Sequence, residues 1–218
     1  MKAIRNIYLT WRKGKGHRRH IIGVLRRNAT EGVRFEYLKD NIPKALEDGF
    51  APYVDFPDID KVYKQNVIEI FGQRLVKAER TDIKKYYDFW ELDMKLVEDQ
   101  YYMLAYTQGM LSTDNFEFLA DFHPKKNLCF VSEITGLTER KITPDSVKVG
   151  DELSWRTESE NKYDSRAIQV FKGKTLIGYV KKIHSRVFYR PSKDRLRIVV
   201  KSVDQNGSIN RIFIRISF

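Results

Sequence analysis

From Asn127 to the end of the chain, apolar and polar residues alternate in short runs, and this two-residue period restricts the possible folds more than any other feature. The runs are NLCFVSEITGL, DELSWRT, AIQVFK, TLIGYVK, LRIVVKSV and RIFIRISF. A period of two sends successive side chains to opposite faces, the mark of a strand with one face in a core and the other in water. Their Val, Ile and aromatic residues suit a pleated, half-buried surface. Turn signals such as Gly173-Lys174 and Gln205-Asn206-Gly207 fall between the runs, and one stretch near Ile183–Tyr189 reads as helix. About six short strands predict a small barrel, whose closure leaves no sheet edge open.

The N-terminal part has a different pattern. Residues 3–12 read as a strand, GKGHRR as a solvated hairpin turn, IIGVLRR as a second strand and Phe35–Leu38 as a third. Pro43 suits a first helical turn in NIPKALEDGF, and Pro52 and Pro57 mark irregular chain. Val62, Val67, Ile70 and Phe71 fall at helical spacings, with Gly72 as an interruption. A long helix is expected to open at the Thr81-Asp82 cap pair and run to Gly109, because Tyr86, Phe89, Trp90, Leu96, Val97, Tyr101, Leu104 and Ala105 recur at three- and four-residue spacings. That aromatic stripe is a packing face, turned to the domain's own core or to a partner's groove. The expected fold class is α+β: a mixed α/β domain with a long aromatic-rich helix over 1–122, then a small β-barrel over 123–218.

The formal charge of +11 becomes informative once divided along the chain. Residues 1–27 carry nine basic and no acidic residues, residues 28–122 eleven basic and nineteen acidic, and residues 123–218 twenty basic and ten acidic. A basic C-terminal domain favours a polyanion, since neutralised phosphates release condensed counterions. The acidic middle does not. No apolar run approaches membrane-spanning length, the N-terminus lacks the apolar segment of a secretory signal, and the single cysteine, Cys129, permits no intrachain disulfide and no cysteine-based zinc site. A cytoplasmic protein without a membrane partner is expected.

Three segments of the C-terminal part carry a resemblance. Gly150-Asp-Glu-Leu-Ser-Trp-Arg, Glu160-Asn-Lys-Tyr-Asp-Ser-Arg-Ala-Ile-Gln-Val and Leu176-Ile-Gly-Tyr-Val-Lys-Lys, led by Thr135-Gly136, resemble the HIRAN family in order, spacing and residue type. The resemblance implies a modified OB-like barrel found beside DNA-processing modules, whose best understood members grip the 3′-hydroxyl end of single-stranded DNA. Asn161, Tyr163 and Asp164 fall on the family's central Asn-x-Tyr-Asp motif. A tyrosine offers a base its π-face, and a carboxylate accepts a hydrogen bond from a 3′-hydroxyl while repelling a 3′-phosphate. Tyr179, Lys181 and Lys182 match the next family segment, and Arg156 and Arg166 complete the expected DNA-binding set. The alternative reading of Tyr163 and Asp164 is a turn that organises the barrel, and Trp155 reads as core. On the first barrel strand the chain has Ser132, Glu133 and Ile134 where end-binding relatives carry basic and aromatic residues. Glu133 would repel phosphate.

Ile7-Tyr8-Leu9, Ile22-Gly23-Val24-Leu25, Phe35-x-Tyr37, Phe71-x-x-Arg74 and Arg80 are similar to the first N-terminal subdomain of HipA-type kinases, which also occurs alone as HipS. The resemblance implies a contact for a kinase core. Kinase chemistry itself is not expected: no Gly-rich phosphate loop or catalytic loop is present, and Gly14-Lys15-Gly16 lacks the P-loop spacing. His17 and His20 lack two further ligands for zinc. Pro57-Asp58 and Asp93-Met94-Lys95 have a nuclease-like pattern, but Asp93 falls within the expected long helix, where it cannot join a strand-borne metal site. The chain is therefore expected to be a non-catalytic DNA-binding regulator without cofactor or metal, acting on a separately encoded HipA-like kinase in a toxin–antitoxin or phage-defence system. A DNA-repair accessory that recruits a helicase or nuclease, and an interaction protein whose barrel no longer binds DNA, are the alternatives.

Overall fold

The computed structural model describes residues 4–138, 140, 142–189, 196–206 and 209–218. Its chain divides into two compact units, Lys2–Asp88 with Leu92–Asp121 and Phe89–Glu91 with Phe122–Phe218.

The first unit is built on strands β1 (Ile4–Trp11), β2 (His20–Asn28), β3 (Gly32–Tyr37), β4 (Val62–Tyr63) and β5 (Phe116–Phe122), in the order β4-β3-β2-β1-β5. The pairs β1–β2, β2–β3 and β3–β4 are antiparallel. Short helices α1 (Ile42–Glu47), α2 (Val67–Gly72), α3 (Ile83–Phe89) and α4 (Gln100–Thr107) complete the elements. Phe35, Phe56, Phe71 and Phe118 are fully buried and meet edge-on or tilted at centroid distances of 4.9–5.2 Å, the offset geometry that aromatic quadrupoles favour. Gly23 of β2 lies under this cluster, where a Cβ would come within 2.5 Å of the Phe35 ring. Tyr37 holds the irregular chain around Pro52 and Pro57 in place: its hydroxyl donates to the Phe56 carbonyl at 2.9 Å and accepts from the Tyr53 amide at 2.8 Å.

The expected long helix is two short ones. Chain between them is held by local caps: Glu91 takes φ 55°, the Asp93 amide donates to the Tyr102 hydroxyl, and the Asp93 carboxylate accepts from the Lys95 amide. Asp99 then starts α4 afresh by accepting the Tyr101 and Tyr102 amides at 3.0 and 3.1 Å. The aromatic spacing persisted through this break because every residue of α4 from Tyr101 to Thr107 is buried, so periodicity there reports a fully enclosed helix rather than one face of a longer one. Asp93 thus lies between helices, and like Asp58, which accepts the Asp60 amide, it caps a local turn.

Arg74 clamps the far side of α4. Buried to 5% exposure, it grips Asp114 with both terminal nitrogens at 2.6 and 2.7 Å and donates Nε to the Gly109 carbonyl at 2.9 Å.

The second unit is a closed barrel of β6 (Cys129–Thr135), β7 (Glu152–Glu158), β8 (Ala167–Lys172), β9 (Thr175–Val180), β10 (Arg197–Gln205) and β11 (Ile209–Ser217), in the order β10-β11-β6-β9-β8-β7. Every pair is antiparallel, and β10 closes on β7 through Ile198↔Leu153 and Val199↔Glu152. The predicted helix is a 3-10 helix at His184–Tyr189; the Gly207 of the Gln205-Asn206-Gly207 turn lies outside the described residues. Gly178 is dictated by packing, since a Cβ there would meet the Thr135 carbonyl oxygen at 2.4 Å. Phe89 and Trp90, which belong to this unit, set their rings edge-on to Phe213.

Two polar arrangements lie inside the barrel unit. Glu133 of β6 receives Lys181 Nζ at 3.2 Å and Arg211 Nε at 2.8 Å. Burial opposes its charge, but Lys181 and then Arg211 outweigh burial and hold its pKa near 2. His184 shares a 2.7 Å hydrogen bond with Ser132 and lies against the Phe122 and Phe130 rings. Its Nε2 is buried and unpartnered, and burial, helped by Lys181, pushes its pKa down to about 3.

Arg74→Ala is expected to cost roughly 3 kcal/mol, because it strands Asp114 and the Gly109 carbonyl; urea denaturation measures it. His184 is folded as the neutral form, so its stabilising contribution is intact above its unfolded pKa of about 6.5 and is lost as pH falls toward 3. Between pH 6.5 and 5 the barrel should lose about 2 kcal/mol, and His184→Gln should remove that dependence in urea melts. Glu133, whose folded pKa is also depressed, loses its contribution only below about 4.5, outside that window.

Candidate nucleic-acid interface

Strands β7, β8 and β9 carry a row of side chains on their outer face. The register aligns Arg156↔Gln169↔Tyr179↔Thr135, with Arg156 exposed and the others half-buried. The alternate row, Trp155↔Val170↔Gly178, follows the pleat to the other face. Val170 is fully buried and Trp155 is half-buried, its ring edge-on to Phe188 at 4.9 Å, so Trp155 packs as a core residue.

The outer row is held by contacts along it. The Arg156 guanidinium lies over the Phe171 ring at 5.1 Å. The Arg140 guanidinium lies over the Tyr179 ring at 5.2 Å and donates to its hydroxyl at 3.3 Å. Gln169 donates to Glu158 at 3.0 Å. Glu158 in turn accepts from Asn161 Nδ2 at 2.6 Å, which joins the row to the loop between β7 and β8.

That loop, residues 159–166, turns on two side chains. Asn161 Oδ1 accepts the amides of Tyr163 and Asp164 at 3.0 and 3.1 Å, and Asp164 Oδ1 accepts the Arg166 amide at 3.0 Å. Both are Asx turns, in which a short polar side chain replaces a backbone partner. Tyr163 is left 75% exposed between them, and the Arg166 side chain is also exposed. Tyr189, itself 40% exposed, approaches the same loop through its hydroxyl, which donates to the Ala167 carbonyl at 3.3 Å. Burial, and then the Asp164 carboxylate, raise the Tyr189 phenol above its ordinary pKa.

The sequence-derived residues therefore separate into groups. Asn161, Tyr163, Asp164 and Arg166 share one loop, while Arg156 lies on β7, the strand that enters it, and Tyr179 on β9. Asn161 Oδ1 takes two amides in shaping the turn, while Asp164 uses one oxygen for it and a carboxylate has further acceptor capacity. Lys182 is exposed just after β9. Lys181 is 2% exposed and paired with Glu133, so it cannot meet a phosphate as the sequence reading supposed. The same pair corrects the reading of Glu133, which is buried and neutralised rather than displayed. Arg140, Gln169, Phe171 and Tyr189 were not anticipated. Gln169 and Phe171 share the outer face with Arg156 by strand alternation and were recoverable from the period of two, whereas Arg140 sits in a polar run with no period to mark it.

The remaining features settle elsewhere. A cleft of about 460 Å³ in the first unit is lined by both charges, including Arg27, Lys64, Glu69 and Asp99, and its cations are already paired, Arg27 with Asp99 and Lys64 with Glu31. His20 turns inward to Asp48 at 2.6 Å while His17 is exposed. No helix among the described residues is long and apolar enough to cross a membrane.

No curated protein matches this chain. Among solved structures, the chain is similar to the HIRAN domain of human HLTF, at 18% identity and a TM-score of 0.34, over 41% of this chain and 74% of that one. A Lactobacillus plantarum protein is similar at 20% identity and a TM-score of 0.33, over 43% of this chain and 96% of that one. The family model of the HIRAN domain matches residues 127–216. That span runs from the start of β6 into β11 and includes the loop of Asn161, Tyr163 and Asp164, so this part of the chain is a HIRAN domain.

Proposed function

We propose that the HIRAN domain binds single-stranded DNA near a 3′ end and that the chain acts as a non-catalytic DNA-binding regulator. The observation that carries this reading is Tyr163, a large aromatic ring left 75% exposed on a loop whose backbone is fixed by Asn161 and Asp164. A rigid, solvated ring is a stacking platform, and base–aromatic stacking is worth about 1–3 kcal/mol per base. The neighbouring Asp164 carboxylate would accept a hydrogen bond from a terminal 3′-hydroxyl and repel a 3′-phosphate. Arg156, Arg166 and Lys182 would meet the backbone phosphates of the same strand. Neutralisation of Glu133 by Lys181 and Arg211 removes the one acid on β6 that stood against phosphate binding.

The first unit, on its resemblance to the HipA N-terminal subdomain, would contact a separately encoded HipA-like kinase. Co-expression should recover the two as a complex; recovery of a helicase or nuclease in place of a kinase would identify a repair accessory.

Fluorescence anisotropy with single strands ending in 3′-hydroxyl or 3′-phosphate tests the DNA reading. Wild type should prefer the hydroxyl end, and Tyr163→Ala should weaken binding about 5- to 150-fold. Asp164→Asn keeps an acceptor for the Arg166 amide but removes the charge, so it should lose discrimination against phosphate while staying folded. Equal affinity for both ends would overturn end recognition, and absence of binding to any DNA would leave the barrel as a protein-interaction module.

A further inference from the structure

From the β1–β2 loop of the first unit we infer a second DNA-binding site, one that takes the phosphate backbone of a duplex. Residues 12–19, RKGKGHRR, carry five Lys and Arg residues, and no acidic residue occurs before Glu31. The base of the loop is anchored: Arg19 pairs with Glu117 at 2.8 Å, Asn115 donates to the Lys13 carbonyl, and Trp11 and His20 close the strand register. The tip is tightened by the His17 amide bonding the Gly14 carbonyl, with Gly16 at φ 85°. Lys13, Lys15, His17 and Arg18 are exposed and Arg12 is half-exposed. Among the described residues no carboxylate pairs with Arg12, Lys13 or Arg18, although the middle of the chain is acidic and could have supplied one.

The composition of the loop selects its ligand. A duplex presents one negative charge per about 1.7 Å of axis, twice the density of one strand, which suits a compact cluster of cations. Residues 12–19 include no Phe, Tyr or Trp, so the loop lacks the stacking platform that single-strand sites use. They also include no aliphatic side chain, so the loop has nothing to insert into a lipid surface. Phosphate contacts of this kind position a protein without reading bases, and the site is expected to be indifferent to sequence. It is independent of the 3′-end reading of the barrel.

The test is binding of the full chain to a blunt duplex with both 3′ ends phosphorylated, to a single strand of equal length, and to anionic phosphatidylserine vesicles, across a salt series. The triple variant Arg12→Gln, Lys13→Gln, Arg18→Gln should bind the duplex about tenfold or more weakly at low salt, and its log–log salt slope should fall in magnitude by about 2.7, for three lost phosphate contacts. Its preference for 3′-hydroxyl over 3′-phosphate single strands should equal that of wild type, which separates failure of this site from failure of the barrel site. An unchanged duplex affinity or slope in the folded variant overturns the proposal. A loss confined to vesicles or to the single strand also overturns it, in favour of a membrane surface or of the strand.

Discussion

Closure of the barrel is the constraint on which the candidate site depends. Two residue pairs, Ile198↔Leu153 and Val199↔Glu152, join β10 to β7, and the chain before β7 adds backbone bonds between Gly150, Asp151 and Val200. On the opposite side, β9 approaches β6 so closely that only a glycine fits at 178. With the strands fixed at both places, the outer face of β7–β9 becomes a defined surface, and the loop that joins β7 to β8 leaves it in one direction. An exposed ring such as Tyr163 gains value from this rigidity, since less freedom is lost when a base stacks on a platform that is already ordered.

The charged groups divide between frame and surface. Lys181 and Arg211 are committed to Glu133, and Lys201 is committed to Glu91. The Lys181–Glu133 pair is buried, and breaking such a pair costs more than forming it gains, so these cations are architectural. Arg156, Arg166 and Lys182 remain on the outside. Part of the basic excess of this segment is therefore taken up inside the frame, and Arg156, Lys162 and Arg166 are among the cations exposed around the β7–β8 loop.

Much of the barrel was legible because a period of two is local: AIQVFK or TLIGYVK declares its inward and outward faces without reference to anything distant. The family motif was legible for a related reason, as Asn161 and Asp164 act on amides two or three residues away. What could not be read were partners far along the chain. Glu133 finds Lys181 and Arg211 from the end of β9 and from β11, on either side of β6 and far away in sequence, and Lys181 looked like any surface lysine until its neighbours were known. The long helix failed differently, because Asp93 and Asp99 are strong caps hidden inside an aromatic stripe whose spacing continued past them. Phe71-x-x-Arg74, which sequence alone offers as a mark of kinship, has a mechanical role here, with Phe71 in the aromatic cluster and Arg74 gripping Asp114.

The rings of Phe89 and Trp90 on Phe213 have a consequence for where this unit can be cut from the chain. A segment starting at residue 123 would contain every strand of the barrel yet leave Phe213 without its aromatic cover and Lys201 and Arg215 without Glu91. The family match begins at residue 127, so this cover lies outside the matched span. A cut at that point would separate the barrel from part of its own packing, so the physical limit of the unit lies upstream of the matched span.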